Sequence, residues 1–241
     1  MVRRDGADAA PRLILASASP ARRQILTEAR VPFDVMVSDV DERAAVEAYV
    51  EAAGRIAPAD EAQMLARAKA EDVASRREAR GALVLGCDSV FEMDGRAYGK
   101  PHEVEVAVER WRQMRGRTGT LHTGHWLVDA STATRTTVSN WLGEAVGATG
   151  ALPVPTAELQ SASETVSVDI TFRVPTEEQI RAYAESGEPL HCAGAFTLEG
   201  GAAEFIEQVD GDREAVIGVS PMALGRLLGR LGHDITDFRT S

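Results

Sequence analysis

The residue with the sharpest chemical meaning in this chain is Asp88. It directly follows Ala82–Cys87 (ALVLGC), an apolar run that reads as a central strand, and the residues after such a strand are the usual place for active groups on an α/β sheet. A carboxylate there can hold a divalent cation, accept a proton from an attacking water, or simply cap the next turn. A second cluster lies in Leu13–Leu26 (LILASASPARRQIL). Here four apolar residues run into Ser17 and Ser19, Pro20 opens a helix, and Arg22 and Arg23 fall in its first turn. A helix N-terminus offers unpaired N–H groups and the positive end of the dipole, so the stretch reads as an anion pocket, most naturally for phosphate. Adjacent helical residues point about 100° apart, so one arginine at most faces the pocket squarely. The plainer alternative is an ordinary Ser-Pro helix start with two solvated arginines.

Other candidates are weaker alone. Glu42 ends the acidic run from Ser38, and acidic runs are usually solvated. Lys69 is one charge of many on an Ala-, Glu- and Arg-rich helix over about 61–79. Lys100 sits between Gly99 and Pro101, where proline restricts its backbone and glycine permits close approach, as a phosphate clamp needs. His122 and His125 are three apart on an expected strand, so they face opposite sides and cannot share a zinc ion. The chain has no Walker loop and no Gly-x-Ser-x-Gly elbow.

These residues need a scaffold, and 241 residues with 44% hydrophobic content suffice for one large domain or two small lobes. Strands are expected at Leu13–Ala16, Phe33–Val37, Ala82–Cys87, Leu121–Val128 and Val166–Phe172, with a hairpin turn at Asp94-Gly95. A second hairpin is expected with Ala195–Leu198 and Glu204–Val209 flanking Glu199-Gly200-Gly201. Helices are expected after Ser19, over 61–79, along Val104–Trp111, after the Thr176/Gln179 capping box, and after Ser220-Pro221. Strands and helices alternate early and hairpins come late, which predicts a mixed α/β sheet flanked by helices. Residues 1–11 read as a flexible tail, 12–235 as a single domain, and 139–163, rich in Gly, Ala, Pro and Ser, as a loop insertion.

Twenty-six basic against 37 acidic residues give a net charge of −11, which excludes a long nucleic-acid polymer as partner but not one small anion. No apolar run is long enough to span a membrane and no signal peptide opens the chain, so a cytoplasmic protein is expected. Cys87 and Cys192 read as two reduced thiols. Two copies can pair through a sheet edge.

Taken together, several stretches resemble the Maf family of nucleoside triphosphate pyrophosphatases. They are Ser17-Ala18-Ser19-Pro20 with its arginines, Leu65–Ala70, Cys87-Asp88-Ser89, Gly99-Lys100-Pro101, Leu121–His125, Tyr183–Gly200, Asp210-Gly211-Asp212 and Val216–Pro221. The resemblance implies a two-lobed fold with a central cleft, like that of inosine triphosphate pyrophosphatases. It implies a divalent cation, Mg²⁺ or Mn²⁺, and cleavage of a nucleotide between the α and β phosphates. It implies Asp88 as the catalytic carboxylate, Glu42 with Asp88 at the metal, and Lys69, Lys100, Ser17, Ser19, Arg22 and Arg23 at the phosphates. Three positions linked to specificity in the family carry Ala21, Ser89 and Glu199. Pro189–Gly194 looks like the branch that takes 7-methylguanosine triphosphate, whereas Cys87-Asp88-Ser89 and Thr123-Gly124-His125 look like an actinobacterial branch. An ionised Glu199 only accepts hydrogen bonds, which suits the adjacent N1–H and N2–H donors of a guanine-type base. The alternative is a nucleotide-binding regulator of cell division without significant catalysis.

Overall fold

The computed structural model describes residues 12–130 and 159–238. The expected tail at 1–11 and the insertion as far as residue 158 lie outside the described residues.

Strand β1 (Arg12–Leu15) leads through helix α1 (Pro20–Glu28) to β2 (Asp34–Val35). Two helices follow, α2 (Glu42–Ala53) and α3 (Pro58–Ala74), before the long strand β3 (Ala82–Met93). From there the chain turns into hairpins. Strand β4 (Arg96–Tyr98) folds back on β3, α4 (Val104–Met114) crosses, and β5 (Thr118–Asp129) and β6 (Ser161–Phe172) complete the centre. Helix α5 (Glu177–Glu185), β7 (Ile206–Asp210), α6 (Arg213–Ile217) and α7 (Pro221–Arg230) close the fold.

The sheet runs β2-β1-β3-β5-β6-β7, with β4 paired to β3. Strands β2, β1 and β3 are parallel, because helices connect them; every later pairing is antiparallel. This is the mixed α/β sheet that the alternation of elements predicts.

Side-chain alternation sorts the core onto two faces. Leu13, Leu15, Leu83, Leu85, Cys87 and Leu127 pack against α1 and α7. Ile14, Val84 and Val128 pack on the other side against Ala70, Val73 and Ala74 of α3. Helix α3 sits unusually close to the sheet. A Cβ at Gly86 would strike Ala66 O and the Ala70 backbone, and one at Gly124 would strike Ala62 O. A third cluster, with Phe91, Trp111, Phe172, Tyr183, Phe196 and Phe205, fills the far half of the sheet beneath α4 and α5. The molecule thus has two packed halves on one sheet.

The edge of β3 joins those halves. Strand β5 pairs with β3 from Leu83 to Glu92 along one edge. The other edge is shared: β1 covers it as far as Leu85, and β4 covers it from Phe91. Among the described residues, Gly86–Val90 has no strand partner on that side. A gap therefore opens in the sheet between the end of β1 and the start of β4.

Three expectations change. Asp88 does not follow a strand; it lies in the middle of β3, because pairing with β5 carries the strand on to Glu92 and β4 adds Met93. It stands beyond the last residue that pairs with β1, so it is the neighbour that stops there and not the strand itself. Strand β6 begins at Ser161, so its first three residues come from the stretch read as insertion. The hairpin about Glu199 is absent: Ala193–Ala195 and Gly201–Phe205 form 3₁₀ turns, and only Ile206–Asp210 is strand. Gly194 and Ala195 take φ values of 70° and 61°, which no strand continues. The Asp94-Gly95 hairpin forms as expected, with both residues at positive φ.

Candidate active site

The gap collects charged side chains from both faces of the sheet. On one face stands Lys69, carried by α3. Its Nζ donates to Asp88 Oδ1 at 2.5 Å and to Glu42 Oε1 at 2.7 Å. Lys69 and Asp88 are 7% and 8% exposed, so the charge of Asp88 depends on Lys69, whereas Lys69 also has Glu42 as a partner. Glu42 opens α2, whose N-cap Asp41 accepts from Ala44 N–H. Burial disfavours the charge of Glu42, but Lys69, then Lys100 and Arg22, outweigh it and hold its pKa below the ordinary value. The fields of two lysines and an arginine converge on that one carboxylate.

On the opposite face stands Arg22. Ser19 caps α1 by accepting from Arg22 N–H, and Ser17 Oγ accepts from Ser19 N–H. The Arg22 guanidinium is buried. It donates from Nε to Gly218 O at 2.8 Å, from Nη1 to Ser17 Oγ at 3.1 Å and from Nη2 to Ser89 Oγ at 3.3 Å. Ser89 bonds Thr123 Oγ1, which donates to Ala215 O. Gly218 is required: its φ is 137°, and a Cβ there would sit 2.9 Å from Arg22 Nε. Arg23 is exposed and donates to Ala18 O. One arginine faces inward and the other outward, as their spacing implies.

The two networks meet at Asp88-Ser89. Consecutive strand residues point to opposite faces, so Asp88 belongs to the Lys69 side and Ser89 to the Arg22 side. Lys100 follows β4 and is exposed at the other margin of the gap. Its segment is tied down by Arg110 donating to Gly99 O and by His102 N–H donating to Leu190 O. Ala21 lies on α1 beside Arg22, and Glu199 is exposed in the loop after Leu198.

Several participants were not assigned a role from sequence. Thr123, Gly218 and Glu188 fall inside motifs that carry the family resemblance, but their partners become visible only through the fold. Glu61, on α3, has its pKa raised by burial and then by the negative charge of Asp88. His122 and His125 do face opposite sides. His122 lies between Ser167 and Glu92, and His125 Nε2 accepts from Ser220 N–H. Cys87 and Cys192 are both free thiols.

The chain is similar to known proteins over most of its length. The family model described as Maf-like protein matches residues 12–231. A protein of Streptomyces avermitilis named nucleoside triphosphate pyrophosphatase is 45% identical over 229 residues, 95% of each chain. Its namesake in Streptomyces coelicolor is 45% identical over 226 residues, covering 94% of this chain and 93% of its own. Another of that name in Leifsonia xyli is 43% identical over 228 residues. A match that begins with β1 and ends just past α7, shared with relatives over nearly their whole length, places this chain in the Maf family.

Proposed function

We infer that this protein is a nucleoside triphosphate pyrophosphatase and that the gap in the β3 edge is where the triphosphate lies. One observation carries the reading: Lys69 bridges Asp88 and Glu42 on one face while Arg22 is fixed on the other, so a polyphosphate crossing the gap meets cations from both sides. The relatives' shared name supports the activity. Among the described residues no three His, Cys, Asp or Glu side chains are grouped to hold a metal ion. The two carboxylates on Lys69 are nonetheless hard oxygen donors that converge on one point. That fits Mg²⁺ or Mn²⁺, which are commonly bound by one or two carboxylates together with substrate phosphates. Glu42 and Asp88 would hold the ion. When bound, it neutralises phosphate charge and makes water a better nucleophile.

The chain's own residues supply the rest. Asp88 Oδ1 is engaged by Lys69, which leaves Oδ2 to orient the attacking water and accept its proton. The water oxygen bonds to the α-phosphorus as the bond to the bridging oxygen breaks. Lys69, Lys100 and Arg22 stabilise the negative charge that moves onto the departing pyrophosphate. Ser17 and Ser19 complete the cradle at the α1 N-terminus. The substrate is a small nucleotide of the cytoplasm, and Glu199 selects a guanine-type base, with Ala21 and Ser89 at the other two specificity positions. Two copies associate through a sheet edge.

The test is a purified sample assayed across standard and modified nucleoside triphosphates, with pyrophosphate and inorganic phosphate measured separately. Monophosphate and pyrophosphate in equal amounts are expected. Diphosphate and inorganic phosphate would overturn the cleavage position, and tight nucleotide binding without turnover would favour the regulator.

A further inference from the structure

Glu188 gathers three donors from two neighbouring segments of the chain. It stands in a 3₁₀ turn at Glu188–His191, just after the left-handed Gly187. Its Oε1 accepts from Tyr183 O–H at 3.0 Å and from the Thr197 hydroxyl, and both its oxygens accept from Gly201 N–H at 2.9 and 3.0 Å. Thr197 and Gly201 bracket Glu199. Between them the chain passes so close that a Cβ at Gly200 would strike both Glu188 Oε1 and Thr197 Oγ1. The loop is thus wrapped around one carboxylate and pinned two residues either side of Glu199.

The same turn reaches the active site. Leu190 O accepts from His102 N–H, two residues past Lys100, and the charge of Lys100 is felt at Cys192. Phe196 packs edge-on against Phe91, two residues beyond Ser89 on β3. The loop is therefore anchored to the margin of the gap and cannot drift independently of it.

We propose that Glu188 is a positioning residue for nucleobase recognition, holding the 197–201 loop in the shape that presents Glu199 to a guanine-type base. The proposal rests on the reading of Glu199 as the base contact. Burial opposes the charge of Glu188, yet the bonds from Thr197, Gly201 and Tyr183 hold its pKa below the ordinary value, so it stays an all-acceptor hub at neutral pH. A glutamine there keeps the shape but turns one acceptor into a donor, which opposes one of the three groups facing it.

The test compares GTP with UTP, by pyrophosphate release, in the full chain. Glu188→Gln should lower the GTP-to-UTP ratio of kcat/KM by about tenfold, the loss expected from one charge-assisted hydrogen bond, through KM with kcat nearly unchanged. In a Glu199→Ala background the same change should leave the ratio where Glu199→Ala put it. A role in packing alone would lower both substrates together, and that result overturns the proposal. So does a drop in the ratio that persists without Glu199, or a wild-type ratio near one. Where Glu188→Gln fails to fold, Thr197→Val removes one donor and should move the ratio the same way; an unchanged ratio overturns the proposal. If the wild type releases no pyrophosphate from either nucleotide, the pyrophosphatase reading fails by itself. The ratio of GTP to UTP dissociation constants, measured by calorimetry on the same variants, then decides the role of Glu188 by the same outcomes.

Discussion

Lys69 Nζ lies 2.5 Å from Asp88 Oδ1, and the two side chains are almost wholly enclosed. Removing Lys69 leaves the charge of Asp88 stranded away from water, at a cost of about 3 kcal/mol. Lys69→Met should therefore lower the urea midpoint and abolish turnover together. Adding Asp88→Asn removes the stranded charge, so the double variant should regain much of the stability and none of the activity. Denaturation curves and turnover on the three proteins check this. A double variant no more stable than Lys69→Met would mean that Asp88 carries no charge there.

Asp88→Asn alone keeps the size of the side chain and one acceptor oxygen. It loses the group that can take a proton from water. Turnover should fall by about 10² or more with the fold intact, the range for loss of a general base. Near-normal turnover with an unchanged circular dichroism spectrum would refute the role.

How much of this was legible beforehand depended on whether a residue's partner was near in sequence. The caps at Ser19, Thr176 and Ser220, the Asp94-Gly95 turn and the alternation of Val166–Phe172 are local, and each formed as the sequence implies; the strand expected at Phe33–Val37 shrinks to Asp34–Val35, with Val35 and Val37 exposed. The divergence of Arg22 and Arg23 follows from helix geometry alone. Asp88 lies in mid-strand and not after it, because strand length is set by the partner. Pairing with β5 carries β3 five residues beyond Cys87, and nothing in ALVLGCDS announces it. The false hairpin at Glu199 has the same origin. Its alternation suits a strand, but Glu188 captures Thr197 and Gly201 first.

The two arginines should behave differently. Arg22 donates to Gly218 O, Ser17 and Ser89 from a buried position, and lysine cannot reproduce that fork. Arg22→Lys should raise KM for a triphosphate by about tenfold or more, one lost charge-assisted bond or slightly over. Arg23→Lys should change it less than Arg22→Lys does, since Arg23 is exposed. Steady-state kinetics on the pair check the order, and equal effects would place both guanidiniums on the phosphates.

Gly86 makes the seat of Lys69 sensitive to a single methyl group. The Cβ of an alanine there would press on Ala66 O and on Ala70 N at 2.8 Å, either side of Lys69 on α3. The helix must lift or tilt. Gly86→Ala should cost about 1–3 kcal/mol by overpacking and reduce activity as Lys69 moves away from Asp88. Gly229→Ala, where an added Cβ meets nothing, is the control and should leave activity unchanged.

His125 sets a pH dependence of stability that is separate from the chemistry. It is fully buried on β5, and its Nε2 accepts from Ser220 N–H, the cap of α7, so the ring is held neutral with its proton on Nδ1. Burial, then the positive charge of Arg22, push its pKa from 6.5 down to about 4. The unfolded chain thus binds a proton that the folded chain refuses between those two values. Stability must rise with pH across that window and be lost as pH falls from about 6.5 toward about 4. Between pH 7 and pH 4.5 this one group should remove on the order of 2 kcal/mol. In His125→Gln, whose amide oxygen can still accept from Ser220 but cannot titrate, that part of the slope should vanish. Urea midpoints for both proteins at the two pH values measure it. Parallel losses in both would show that carboxylates, and not His125, govern acid unfolding.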